Sequence, residues 1–241
     1  MHRVAAKFVP RILTADQKQQ RVNVCIELCQ LTSDDKTFLS RVITGDENWV
    51  YGYDPETKRQ SSQWKSPTSP RPKKARQVKS NLKSMIITFF DIKGIVNKEF
   101  VPTGRTVNSG FYYEVLWTLR EKACRHLPQL WREQTWLLHH DNAPSHTSVL
   151  THQFLAKNKI AVIPHPLYSP DLAPCDFFLF PKMKLKLKGC RFDTIEIQAE
   201  SQSVLVTLTE KDFQEAFQKW RRQWDHCLHA GGNYFEGDGS R

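Results

Sequence analysis

The chain has 241 residues, 39% of them hydrophobic. That length suits one sizeable α/β domain or two small ones, and the apolar fraction excludes disorder of the whole chain. Its 35 Lys and Arg against 25 Asp and Glu give a net charge of +10 and a pI near 9.4, a balance that points to a polyanionic partner, most simply nucleic acid. The six cysteines (25, 29, 124, 175, 190 and 227) are dispersed and form no CxxC. This argues against a zinc ribbon or a redox motif and for free thiols in a reducing compartment. There is no secretory signal and no apolar run long enough to cross a bilayer as a helix, so a soluble nuclear or cytosolic protein is expected.

Residues 1–35 read as an arm or linker, too short to bury a core alone. In "KFVPRIL" Pro10 keeps Val9 extended. Thr14 can cap a helix whose apolar positions Val22, Val24, Ile26 and Leu28 are only partly periodic. "FLSRVITGDENWVYGY" (38–53) predicts a strand with Asp46 and Glu47 in its middle. An acid there costs stability unless it is edge-exposed, ion-paired or bound to metal. Residues 54–83 then carry nine Lys or Arg from Lys58 onward, no acid after Glu56, and prolines at 67, 70 and 72. The prolines forbid a regular helix, and so one-sided a charge suggests a loop that clamps phosphate backbone, with Trp64 available for stacking.

"SMIITFFDIKGIVNKEFVP" (84–102) predicts a hairpin turning at Gly94. A helix is expected over 108–128, a strand at "TWLLHHD", a helix over 145–159, and a buried strand over 160–166. Prolines 166, 170 and 174 stiffen the approach to "CDFFLF". A final amphipathic helix is capped by Thr209, with Phe213, Phe217, Trp220 and Trp224 facing inward. Three antiparallel strands followed by alternating helices and strands suit an α/β fold of ribonuclease-H-like arrangement: a mixed five-stranded sheet flanked by helices, with the basic segment inserted between its first two strands.

In that topology the first and fourth strands are neighbours, so Asp46 and Asp141 meet. A third acid has two candidates. Asp171 stands between prolines in "YSPDL", where aspartate often organises a turn. Asp176 stands at the expected start of a helix, which fixes its projection but also suits a cap. Three clustered carboxylates call for a cation, and an all-oxygen donor set specifies a hard one, Mg²⁺ or Mn²⁺. Two such ions catalyse phosphodiester cleavage in many enzymes. His140 and Asn142 are expected to touch substrate or support the acids. Glu47 points to the strand face opposite Asp46 and is not expected to bind metal. His139, His140 and His146 fit no standard zinc spacing. Lys65, Arg71, Lys73, Lys74, Arg76 and Lys79 of the insertion, with Lys182 and Lys184 of "KMKLKLKGCR", are the candidate DNA contacts.

"VITGDENWVYGYDP", "HHDNAPSHT" and "HPLYSPDLAPCDFFLFPKMK" resemble the three active-site blocks of mariner transposases, of the Tc1/mariner superfamily. The family's pattern places 34 residues between its second and third acids, as between Asp141 and Asp176 here, and so favours Asp176 over Asp171. "KFVPRIL" is similar to the family's interdomain linker, with Phe8 and Arg11 where the family has Trp and His. The resemblance implies a catalytic domain over residues 36–241 that uses Mg²⁺ or Mn²⁺ on Asp46, Asp141 and Asp176 to cut transposon ends and join them to target DNA in the nucleus. It also implies a homodimer in which segment 54–83 acts as a clamp between subunits. The family's helix-turn-helix domain has no counterpart before residue 38, so recognition of end sequences is not expected of this chain. A fragment, a natural truncation or a host-adopted domain would each fit. A DNA-binding or assembly module without catalysis is the other class compatible with the sequence.

Overall fold

The computed structural model describes residues 8–235, so the first seven residues of the expected arm lie outside the described residues. Five strands form one mixed sheet: β1 (Val42–Tyr51), β2 (Lys83–Phe90), β3 (Ile95–Val101), β4 (Leu137–His139) and β5 (Ala161–Ile163), in the order β3-β2-β1-β4-β5. The first three strands are antiparallel, and β4 and β5 run parallel to β1. The predicted hairpin is β2–β3. Asp91 Oδ1 accepts from the backbone N–H groups of Lys93 and Gly94, at 2.8 and 2.9 Å, and Gly94 takes φ +156°, a value L side chains rarely adopt. The β1–β4 ladder ends at Thr44 opposite His139. Asp46 and Asp141 each lie two residues further on, so the parallel register carries both acids to one end of the sheet.

Alternation along the strands gives the sheet two buried faces. Ile43, Ile87, Phe89 and Val101 face α2 (Ser109–His126), which contributes Phe111, Tyr112, Val115, Leu116 and Leu119. Val42, Val50, Ile86 and Phe90 face the other way, towards Phe213, Phe217, Trp220 and Trp224 of α7 (Glu210–His229). The aromatic residues of α7 are thus core, as its spacing predicts. At ~1.5–3 kcal/mol for each large side chain removed from water, that stripe is a main anchor of this face. A reciprocal capping box between Thr209 and Asp212 starts the helix.

The arm contributes more than expected. Helix α1 (Ala15–Asp34), capped by Thr14 and Gln17, buries Val24, Cys25 and Leu28 in the same core as α7. The boundary read at residue 35 therefore does not separate a linker from the fold. Two further helices have no counterpart in the predicted elements: the short α3 (Pro128–Glu133), and α6 (Thr194–Val206), which is capped by Asp193 and Glu196. Several elements are shorter than predicted, among them β1, which starts at Val42 after a short 3₁₀ turn, and β4, which covers only Leu137–His139. Helix α4 covers only Val149–Lys157. Strand β5 is a three-residue edge strand in which Ala161 and Val162 are exposed and Ile163 alone is buried, because nothing pairs with its outer side.

Candidate active site

Each acid reaches the site from a different kind of local structure. Asp46 is on β1, next to Gly45, where a Cβ would fall 2.1 Å from the Phe89 ring, so a side chain on that face is excluded beside the acid. Its Oδ1 accepts from the Glu47 N–H at 2.7 Å. Asp141 does not close β4 but lies two residues past it, on irregular chain, where its Oδ1 accepts from Ala143 N–H at 3.0 Å. Asp176 lies in a wide π-helical turn (Cys175–Leu179) that runs into α5 (Phe180–Leu187), and its own N–H bonds the Ala173 carbonyl. Asp141 and Asp176 line one cavity of about 250 Å³, together with His165, Tyr168 and Pro170. Burial, then the charges of Asp176, Glu47 and Asp141, push the Asp46 carboxyl well above the usual aspartate range. The three predicted acids thus share one electrostatic neighbourhood.

Asp171, the rival third acid, is engaged elsewhere. It is buried and holds Arg21 of α1 through two bonds of 2.8 and 2.6 Å. Arg21 is itself fully buried and also donates to Ser169 Oγ and to the Gly232 carbonyl. Tyr168, with φ +55°, stands at the front of the same turn. Its hydroxyl accepts from Arg11 at 2.6 Å, with that guanidinium also over the ring, and its carbonyl accepts from the Tyr234 hydroxyl at 2.7 Å.

The histidines divide by partner. His146 is buried between two carboxylates, with Nδ1 2.7 Å from Asp141 Oδ1 and Nε2 3.0 Å from Glu47 Oε1. Burial pulls its pKa down, but the bonds to Asp141 and Glu47 outweigh this and hold it at about 10. On the other side of the pair, burial raises Asp141, while His146 and the Ala143 N–H bring it to about 2. Glu47 faces α2, away from Asp46, as alternation requires. His140 is buried, bonded to the Tyr112 hydroxyl at 2.8 Å, and lowered to about 3 by burial and then by His146. Its ring also stacks on that of His146, with centroids 4.9 Å apart. Asn142 donates to the His165 carbonyl at 2.6 Å, fixing the loop rather than an aspartate. Sequence reasoning reaches His146 only as a zinc candidate; its position five residues after Asp141, in the turn ahead of α4, is the available signal.

The donor set fits a hard divalent cation: oxygen ligands only, with Asp46 set among other carboxylates. Among the described residues, no three His, Cys, Asp or Glu side chains stand close enough together to hold an ion as they are.

The basic residues fall into two groups. Lys184 is half-buried beside Asp176 in a cavity of about 630 Å³, and its pKa is lowered by burial and then by the charge of Lys79. Lys79 lies 3.7 Å from Asp54 and over the Tyr51 ring. Lys182 pairs with Asp212. The others stand out on the exposed loop between β1 and β2: Lys65 bonds the Ser69 carbonyl, Lys74 pairs with Glu56, and Arg71, Lys73 and Arg76 have no ion pair among the described residues. The loop's root is held where Gly52 N–H meets the Leu82 carbonyl and Gln60 bonds the Leu185 carbonyl of α5.

A mixed sheet in the order β3-β2-β1-β4-β5, with an aspartate on β1, another past β4 and a third at a helical onset, defines a ribonuclease-H-like domain of the DDE class. A family model described as "Transposase (partial DDE domain)" matches residues 54–133. The chain is 31% identical over 232 residues to the Mariner Mos1 transposase of Drosophila mauritiana, covering 95% of this chain and 66% of that protein. It is 29% identical over 231 residues to the histone-lysine N-methyltransferase SETMAR of Homo sapiens, covering 95% of this chain and 33% of that one. Its fold matches the crystal structure of the Mos1 mariner paired end complex with Mn at TM-score 0.87 and 30% identity, covering 98% of this chain and 68% of that one. The chain belongs to the mariner transposase family. It spans just under two thirds of the Mos1 transposase and one third of SETMAR.

Proposed function

We propose that this chain is the catalytic domain of a DNA transposase, which cleaves phosphodiester bonds at transposon ends and joins the resulting 3′-hydroxyl to target DNA in the nucleus. In each step one P–O bond forms as another breaks. Asp46, Asp141 and Asp176 hold Mg²⁺ or Mn²⁺; bound in pairs, such ions activate the attacking oxygen and stabilise the leaving one. Lys184, beside Asp176, and Lys79, whose charge acts on Lys184, hold phosphates next to the reacting one. The exposed cations Lys65, Arg71, Lys73, Lys74 and Arg76 extend that grip along DNA or reach a second subunit of a homodimer. Lys182 reaches DNA only by leaving Asp212. The observation that carries the reading is that Asp141 and Asp176 line one cavity and that Asp46, raised first by burial, is raised further by Asp176, Glu47 and Asp141. Like charges gathered in a basic protein are costly unless a cation joins them.

A DNA-binding or assembly module without turnover is the second reading. It is favoured by the absence, among the described residues, of three His, Cys, Asp or Glu side chains set to hold an ion and by the match to part of a protein named as a histone methyltransferase. Incubation with a pre-nicked duplex and Mn²⁺ separates the two. The parent should cut and Asp141→Ala should not, with both binding DNA alike. Equal cutting by both removes the enzyme reading, and binding without cutting by either establishes the module. Neutralising Lys73, Lys74 and Arg76 together should lower the slope of log affinity against log salt by about 0.9 for each phosphate that is no longer neutralised. An unchanged slope assigns the loop to the subunit interface.

A further inference from the structure

We infer that His146 is a positioning residue of this site, holding the Asp141 carboxylate in place by tying it to Glu47 of β1; the inference rests on the metal-dependent reading above. Asp141 needs such a support. It lies beyond the last ladder residue of β4, and its side chain is 44% exposed, so neither strand pairing nor packing fixes its rotation. Its two hydrogen bonds, from Ala143 N–H and His146 Nδ1, both fall on Oδ1. The oxygen left for a cation is Oδ2.

His146 is well placed to supply that support because it cannot swing away. The side chain is 1% exposed. Its ring packs against Tyr112 with centroids 4.1 Å apart, and it lies nearly parallel to His140, 12° between planes at 4.9 Å. Tyr112 and His140 are themselves joined at 2.8 Å. The second nitrogen is held by Glu47, whose neighbour in the strand is Asp46. The connection Asp46–Glu47–His146–Asp141 therefore links two of the three acids through rigid parts, bypassing the irregular chain after β4. Partners of this kind, which orient a carboxylate without touching the ion, change metal affinity by about 10–100-fold when removed.

The test is Mn²⁺ binding by calorimetry on the full chain, without DNA and independent of turnover. His146→Ala should weaken Mn²⁺ about 10–100-fold, and His146→Gln, which can donate to only one carboxylate, should weaken it less. Glu47→Gln should weaken it several-fold, and the His146→Ala/Glu47→Gln double variant should be no worse than His146→Ala alone, because the two act as one unit. If folded His146→Ala binds Mn²⁺ within about twofold of the parent, His146 has a packing role only and the inference fails. If His146→Ala does not fold, Glu47→Gln decides by the same criterion. A parent that binds no Mn²⁺, or binds it equally well with Asp141→Ala, overturns the metal reading itself. A parent whose Mn²⁺ binding is lost in Asp141→Ala but kept in His146→Ala overturns only the role of His146.

Discussion

Exchanging Asp46 for asparagine is expected to abolish Mn²⁺-dependent cleavage and, in metal-free buffer, to make the fold more stable. The two effects have one cause. Burial and the nearby charges of Asp176, Glu47 and Asp141 disfavour the ionised Asp46 carboxyl. The neutral amide keeps the shape and loses the repulsion, for a gain on the order of 1 kcal/mol. The same loss of charge removes a cation ligand, and cleavage should fall at least about 10³-fold, the scale seen when a group acting directly on the reaction is removed. Thermal melts separate the parts. Mn²⁺ at a hundred times its Kd should stabilise the parent by about 2.7 kcal/mol and the variant by far less. If the asparagine variant melts below the parent without metal, the carboxylate is a stabilising group and the cation argument loses its physical basis.

Arg21→Met should cost about 3–5 kcal/mol of unfolding free energy, measurable by urea titration. The guanidinium has no exposure and neutralises Asp171, which is 3% exposed. Removing it leaves a buried carboxylate without its counter-charge, and Ser169 and the Gly232 carbonyl each lose a donor. Replacing Asp171 by leucine as well should recover a large part of the loss, since a buried ion pair exchanged for apolar side chains of similar volume is often neutral. A single-variant loss under ~1 kcal/mol would mean that water reaches the pair. Asp171 thus serves the fold through Arg21, which leaves Asp176 as the candidate third acid.

Clearly legible in the sequence are the β2–β3 hairpin, from two β-rich runs either side of Gly94, and α7, from its aromatic stripe. Helix α1 is legible as a helix capped by Thr14, but its place in the core is not, because its buried face includes Arg21, Cys25 and Thr32 beside Val24 and Leu28, so apolar spacing understates what it buries. Helix α6 is not legible at all, its buried face mixing Ser201 with Ile197, Val204 and Leu205. At the site, the positions of Asp46 and Asp141 follow from strand order and register, which patterning reveals. Between Asp176 and Asp171 the local residues leave a close choice that family spacing decides, because the partner of Asp171 lies 150 positions away on α1. The part played by His146 is only half legible, because a histidine's role is set by what its two nitrogens face: Asp141 lies five residues away, but Glu47 comes from a strand 99 positions distant.

The turn at Tyr168 joins parts of the chain that are far apart in sequence. Arg11, ahead of α1, and Tyr234, beyond α7, both fasten to this residue, which also borders the cavity holding Asp141 and Asp176. Tension on the segment leading into α1 is therefore delivered to the rim of that cavity without passing through the sheet. Anything tethered to that segment gains mechanical leverage over how wide the acids stand open.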